Sequence, residues 1–241
     1  MSRTPLSLSG DEVHVWSAVL ERPPGEAASL RALLSADELE RVARIHCPKT
    51  RVEFAVGRGL LRTLLASYLD TEAARLRFAL GPAGKPELCE PAGTGLHFNV
   101  THSHGLALYA VSRRSPVGVD VEHVRPLSNY LGLAERYFSP HEVEVLYCLP
   151  DHHRAEAFFH AWTRKEAFLK ARGVGLSYGL ERVEVTLGPA EPARLIRLDG
   201  EERPASRWSL HNLRPAPGFI GALAVEDHDF RLVCRDWPLP A

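Results

Sequence analysis

The stretch FFHAWTRKEAFLKAR, residues 158–172, decides how the rest of the chain is read. Helix formers fill it and neither Gly nor Pro interrupts it until Gly173, so it predicts a helix that stops there. Phe159, Trp162, Glu166 and Lys170 follow at spacings of three, four and four residues and fall along one ridge. A carboxylate and an ammonium thus share a ridge with two aromatic rings, the usual mark of an inward side. Taken alone, the pattern equally describes a weak Glu-to-Lys pair on a solvated helix. Residues upstream separate the two readings.

The first of them is VGVDVE, residues 117–122. Strand alternation sends Val117, Val119 and Val121 to one face and Asp120 with Glu122 to the other. Two carboxylates on one face repel unless water or a cation separates them. An exposed strand face satisfies that condition. So does a metal site, because adding Glu166 makes three hard oxygen ligands suited to a Mg²⁺ that also holds substrate phosphates. Before this strand, LALYAVS (106–112) and a turn at 113–116 complete what reads as a β-hairpin with 117–122. LHFNVTHSHG (96–105) is a short strand running into small polar residues and two histidines, His102 and His104, with no third His or Cys at zinc spacing. LGPAGKPEL (80–88) is a Gly/Pro-rich loop whose shape is a β-turn and whose Lys85 is free to meet a phosphate.

Outside this centre, residues 11–20 alternate as a strand, which Pro23, Pro24 and Gly25 break. Ser35 opens a capping box, S-A-D-E, into a helix over 36–45. A longer helix covers 51–68, with Phe54, Leu61, Leu64 and Leu65 on an apolar face and Arg51, Arg58 and Arg62 on a cationic one. Such arginines are ordinarily solvated or paired with acids such as Glu53. After Glu122 come Pro126, a loop and 130–138; Ser139 and Pro140 then read as the cap and first residue of a helix over 141–149. The ridge helix starts near residue 152. Strands follow at 182–187, 193–198, 208–213 and 220–225. Both halves run two helices and then strands, without a clear sequence repeat. We therefore expect an α+β fold of two similar lobes, 1–115 and 116–241, with Asp120, Glu122 and Glu166 at or near the cleft between them.

Bulk composition narrows the function classes. The chain has 241 residues, 45% of them hydrophobic, enough for a sizeable core. Its 29 basic and 30 acidic side chains leave a net charge of −1, without the basic excess of a general nucleic-acid binder. Cys47, Cys89, Cys148 and Cys234 are scattered with no CxxC pair, which argues against a zinc site or disulfide framework and for a reducing compartment. The first twenty residues lack the apolar run of a signal peptide, and no stretch approaches membrane-spanning length. A cytoplasmic protein with no membrane partner is expected.

Four segments, GKP (84–86), FNVTHS (98–103), GVDVE (118–122) and WTRKEAFLKARGVGL (162–176), stand in an order that resembles the 4′-phosphopantetheinyl transferases of the long, Sfp-type, pseudo-dimeric branch. Each segment alone is weak; four in order across roughly residues 51–187 are specific. The resemblance implies transfer of the 4′-phosphopantetheine arm of coenzyme A to a serine of an acyl or peptidyl carrier protein, with release of 3′,5′-ADP, by a monomer. It implies that Asp120, Glu122 and Glu166 hold Mg²⁺, with Mn²⁺ as an alternative ion, and that Lys170 contacts the pyrophosphate. Gly84, Lys85 and His102 become coenzyme A contacts, and Asn99, Thr101, His102 and Ser103 a wall beside the nucleotide, with His102 near the 3′-phosphate. Arg51 is the leading second contact to that phosphate, with Arg58 and Arg62 as alternatives. Thr101 stands where the family more often has Ser, and keeps the hydroxyl. Residues 127–138, with Tyr130, Leu131 and Leu133, are either a carrier-docking segment or packing between lobes.

The chemistry itself sets the roles. A serine hydroxyl is a weak nucleophile, and its attack on the β-phosphorus needs a base and neutralisation of the departing α-phosphate. Glu166, directly or through a water, suits the first task; Lys170, one turn on, suits the second, and Asp120 anchors the metal. The same parts describe two other classes: a coenzyme A-binding module that docks carriers without transfer, and a metal phosphohydrolase. The latter lacks a second metal cluster such as HD or DxD.

Overall fold

The alternation of residues 11–20 becomes strand β1 (Glu12–Val19) in a computed structural model that describes residues 5–188 and 191–238. Helix α1 (Pro24–Arg31) follows where the Pro-Pro-Gly run predicted only a break; Pro24 is accommodated at the first helical position, where its missing N–H has no intrahelical partner to lose. Helix α2 (Ala36–Arg44) starts on the predicted capping box, Glu38 accepting the Ser35 N–H at 3.0 Å. Helix α3 (Pro48–Leu69) begins three residues before the expected start, again with Pro at its first position. Strands β2 (Arg77–Leu80) and β3 (Pro86–Glu90) pair as a hairpin, so the Gly/Pro-rich loop is its turn.

The chain continues with β4 (His97–Ser103), β5 (Leu106–Ser112) and β6 (Val117–His123). Helices α4 (Tyr130–Tyr137), α5 (Pro140–Cys148) and α6 (Asp151–Arg172) come next, the last ending at Gly173 in the left-handed conformation. The remainder is β7 (Val183–Val185), β8 (Leu195–Leu198), the short α7 (Glu202–Ala205), β9 (Ser209–Leu213), β10 (Phe219–Val225) and β11 (Arg231–Asp236).

Two sheets organise these elements, one ordered β11-β1-β5-β4 and one β6-β10-β9. The predicted hairpin of 106–112 with 117–122 does not form. Strand β5 is already paired antiparallel with β1 on one edge and β4 on the other, so β6 crosses to the second sheet and pairs antiparallel with β10. Strand β11 returns to the first sheet, parallel to β1.

Each sheet carries a helix. Leu60, Leu61, Leu64 and Leu65 of α3 pack on Trp16, Phe98 and Tyr109 of the first sheet. Phe158, Phe168 and Leu169 of α6 pack with Ile220, Ala222 and Ala224 of the second. A third cluster joins the sheets, with Val117, Val119 and Val121 of β6 against Val13, Val15 and Leu108. The chain is α+β, as expected. We retain the division into lobes 1–115 and 116–241 as a proposal, β11 being the part of the later segment that rejoins the first sheet.

Candidate active site

With the valines of β6 turned to the other sheet, Gly118, Asp120 and Glu122 face α6. Gly118 permits the contact. A Cβ there would stand 2.0 Å from the Ala167 carbonyl oxygen and 2.3 Å from the Ala171 nitrogen, both backbone atoms of α6. Helix and strand backbones therefore lie against each other, and Glu166 and Lys170 come down beside the acidic face.

Asp120 is only 5% exposed. Its Oδ1 accepts the Lys170 ammonium at 2.6 Å and the Thr101 hydroxyl at 3.0 Å, while Lys170 also donates to Thr101 Oγ1 at 3.2 Å. Its Oδ2 is buried with no hydrogen-bond partner among the described residues. Glu122 accepts from Ser103 Oγ at 2.9 Å; burial raises its pKa, and the charge on Asp120 adds to that. Burial pushes Glu166 up to about 7, with Asp120 and then Glu122 contributing and Lys170 opposing. The three carboxylates thus act on one another electrostatically, and the solvated-face reading of the acidic strand fails for Asp120.

Strand β4 supplies the other wall. Its alternate residues stitch the two sheets where no backbone ladder joins them. Asn99 Oδ1 accepts the Val119 N–H at 2.9 Å, Thr101 bonds Asp120, and Ser103 Oγ both donates to Glu122 and accepts the His123 N–H at 3.3 Å. Asn99 and Thr101 are buried by this work. His102 points the opposite way, into a groove of about 180 Å³ that it lines with Arg41, Phe54, Arg58, Gly84 and Pro86.

The three arginines of α3 separate. Arg62 is fully buried and donates to Glu38, to Ser35 Oγ and to the carbonyls of Ala73 and Leu76, a structural role. Arg58 lines the His102 groove and pairs with Glu38 at 3.1 Å. Arg51 bonds the Ile45 carbonyl at 2.9 Å and lines a different groove, between α1, α2 and α3. It shares the predicted face with Arg58, but seven residues along a helix is about 10 Å. The predicted acidic partner, Glu53, is replaced by Glu38. Lys85 is turned away from the groove that its neighbours Gly84 and Pro86 line, donating to the carbonyls of Lys170 at 2.8 Å and Val117 at 3.2 Å.

Two charged residues of the ridge helix without a sequence-derived role prove to be its anchors. Lys165 is fully buried, with its ammonium on the Glu142 carboxylate and on the carbonyls of Leu180 and Val183. Glu142 also takes the Ser139 and Val185 N–H groups, both at 2.8 Å. Arg164 holds Asn212 Oδ1 at 3.0 Å and the Thr186 carbonyl. These contacts fix the rotation of α6 about its axis, and so the aim of Glu166 and Lys170. Charge next to the ridge was the available signal, but spacing alone does not distinguish a buried lysine from a solvated one. Arg41 in the His102 groove left no signal of its own. In α4, Tyr130, Leu131 and Leu133 pack against the core beneath α6.

Among the described residues no group of three or more His, Cys, Asp or Glu side chains is drawn into a cation-coordinating cluster. The donor chemistry nevertheless fits a hard divalent cation. Asp120 Oδ2 is orphaned, and Glu122 and Glu166 are held toward their neutral forms by burial and neighbouring negative charge that a cation would relieve. No helix among the described residues is long and apolar enough to cross a membrane.

Comparison with known proteins gives the family. A family model described as the 4′-phosphopantetheinyl transferase superfamily matches residues 116–225. The chain is 42% identical over 221 residues to the 4′-phosphopantetheinyl transferase HetI of Nostoc sp. (strain PCC 7120), covering 91% of this chain and 90% of that protein. A 4′-phosphopantetheinyl transferase of Bacillus subtilis is 30% identical over 190 residues, 78% of this chain and 83% of that one. The transferase Sfp of Bacillus subtilis (strain 168) is 28% identical over 175 residues, 72% and 76% of the two chains.

Proposed function

The chain belongs to the 4′-phosphopantetheinyl transferases, and from that premise we propose that it moves the phosphopantetheine arm of coenzyme A onto a serine of an acyl or peptidyl carrier protein, releasing 3′,5′-ADP. The observation that carries the reading is the close seat of α6 on Gly118, which brings Glu166 and Lys170 beside Asp120 and Glu122. The near-neutral charge balance lacks the basic excess that a general nucleic-acid binder carries.

Coenzyme A would enter with its nucleotide against the His102 groove. There Arg58 and Arg41 offer cations to the 3′-phosphate beside His102, and Gly84 and Pro86 offer a wall. Arg51, in the separate groove, is the less well placed contact. The diphosphate would lie over Asp120, Glu122 and Glu166, the residues that would hold Mg²⁺ or Mn²⁺; the bound ion neutralises diphosphate charge and orients an in-line displacement. Lys170, 29% exposed on its pair with Asp120, is the cation that would meet the departing phosphate.

The carrier serine attacks the β-phosphorus, and the bond from that phosphorus to the bridging oxygen breaks. Glu166 takes the serine proton, directly or through one water. Thr101 and Ser103 hold Asp120 and Glu122 in place.

Mass spectrometry of an apo-carrier incubated with coenzyme A, Mg²⁺ and the protein tests the reading. A carrier heavier by the phosphopantetheine arm supports transfer. Cleaved coenzyme A with an unmodified carrier would make the protein a phosphohydrolase, and no product a binding module.

A further inference from the structure

The turn of the β2–β3 hairpin rests on the end of α6. A Cβ on Gly175 would stand 3.0 Å from Ala83 Cβ, and one on Gly173 would stand 4.0 Å from Lys85 Cδ. From this turn Lys85 reaches inward, and its ammonium donates to the carbonyls of Lys170 and Val117, at 2.8 and 3.2 Å. One acceptor lies in the last turn of α6 and the other opens β6, the two elements that carry Glu166, Lys170, Asp120 and Glu122.

The last carbonyls of a helix lack intrahelical partners, and a cation there also meets the negative end of the helix dipole. The other donor to the Lys170 carbonyl, the Gly173 N–H, stands at 3.3 Å, so the Lys85 ammonium is its closer partner. Lys170 is therefore held at both ends. Its backbone is tied by Lys85, and its side chain by Asp120 and Thr101. Lys85 also lies outside the set of residues lining the His102 groove, although both its neighbours belong to it.

We propose that Lys85 is a positioning residue for the transfer reaction. Its ammonium pins the end of α6 to the start of β6, and so fixes where Lys170 and Asp120 meet the diphosphate, instead of binding a phosphate itself. The inference rests on the transferase reading above. The turn that carries Lys85 is also the wall formed by Gly84 and Pro86, so the nucleotide groove and the catalytic helix share one support.

The test compares the parent with Lys85→Met, which keeps the length of the stem and removes the donor, and Lys85→Arg, which restores donors. Coenzyme A and 3′-dephospho-coenzyme A serve as substrates. Lys85→Met should lower kcat roughly tenfold or more, since small misplacements of a catalytic group carry large costs. KM for coenzyme A should stay within about twofold and the preference over the dephospho form should persist, as expected for a residue that binds no phosphate. Lys85→Arg should recover part of kcat. In a Lys170→Ala background, Lys85→Met should cost clearly less than in the parent, because part of its effect runs through Lys170. A raised KM with lost preference for the 3′-phosphate would make Lys85 a phosphate ligand and overturn the proposal, as would an unchanged kcat or full additivity with Lys170→Ala. If Lys85→Met does not fold, Lys85→Ala, which also removes the donor, is held to the same outcomes. Should the parent modify no carrier, the transferase reading fails by itself. Amide exchange at residues 169–174 then reads the pinning directly: faster exchange in the variant supports it, and equal exchange refutes it.

Discussion

Replacing Gly118 by alanine adds a single methyl group, yet it strikes the contact on which the proposed site depends. The new Cβ would stand 2.0 Å from the Ala167 carbonyl oxygen, 2.3 Å from the Ala171 nitrogen and 2.9 Å from the Ala171 Cα. All three are backbone atoms, so no side-chain rotation relieves the clash. Reaching ordinary contact at 3.4 Å from 2.0 Å requires α6 to retreat from β6 by about 1.4 Å. Overpacking of a close-packed interior costs about 1–3 kcal/mol and sometimes more, and a clash between two main chains belongs at or above the top of that range. The same retreat carries Lys170 Nζ, now 2.6 Å from Asp120 Oδ1, beyond hydrogen-bonding reach. A misplacement of that size costs on the order of 10²-fold in turnover. Urea unfolding followed by circular dichroism measures the first effect, and the initial rate of carrier modification at saturating coenzyme A, per folded molecule, measures the second. A Gly118→Ala protein with the parent's midpoint and rate would refute the packing argument. A lowered midpoint with an unchanged rate would show that α6 moves without carrying the site.

The pH dependence of stability in metal-free protein offers a second test. Because Glu166 binds its proton more tightly folded, at about 7 against an ordinary 4.5, it destabilises the fold progressively as pH rises from about 5 to about 7, and not below. The melting-temperature difference between Glu166→Gln and the parent should therefore grow in favour of the variant over that window, and Mg²⁺ should shrink it; a difference flat in pH contradicts the carboxylate cluster. Arg58→Ala should raise KM for coenzyme A about tenfold or more while leaving 3′-dephospho-coenzyme A little affected, and Arg51→Ala should do neither. The reverse order would return the 3′-phosphate to Arg51. Lys165→Met strands a buried Glu142 and should cost roughly 3–5 kcal/mol in chemical denaturation, much of it recovered by Glu142→Gln in the same chain. Equal stability of the single and double variants would argue against a buried ion pair.

Periodicity and caps are local properties, and what depended on them was legible. The helix stopping at Gly173, the capping box at Ser35, the cap at Ser139, and the split of β6 into a valine face and an acidic face follow from spacings of two to four residues. So did the candidate set of Asp120, Glu122 and Glu166, because their residue types and order are written in the chain. The partner of β6 was not legible. Adjacency favoured a hairpin with β5, but an edge can be used once: β4, two residues upstream, had taken one edge of β5 and β1, from a distant segment, the other. Contacts that bridge many residues were equally silent. Nothing local tells that Arg62 will be buried on Glu38 while Arg58 lines a groove, that Lys165 will meet Glu142, or that Lys85 will turn from a phosphate site to the carbonyl of a residue 85 positions on. A cation's role depends on which acceptors the fold brings within about 3 Å and on how much water it leaves there, and both are decided only when the sheets and helices have packed.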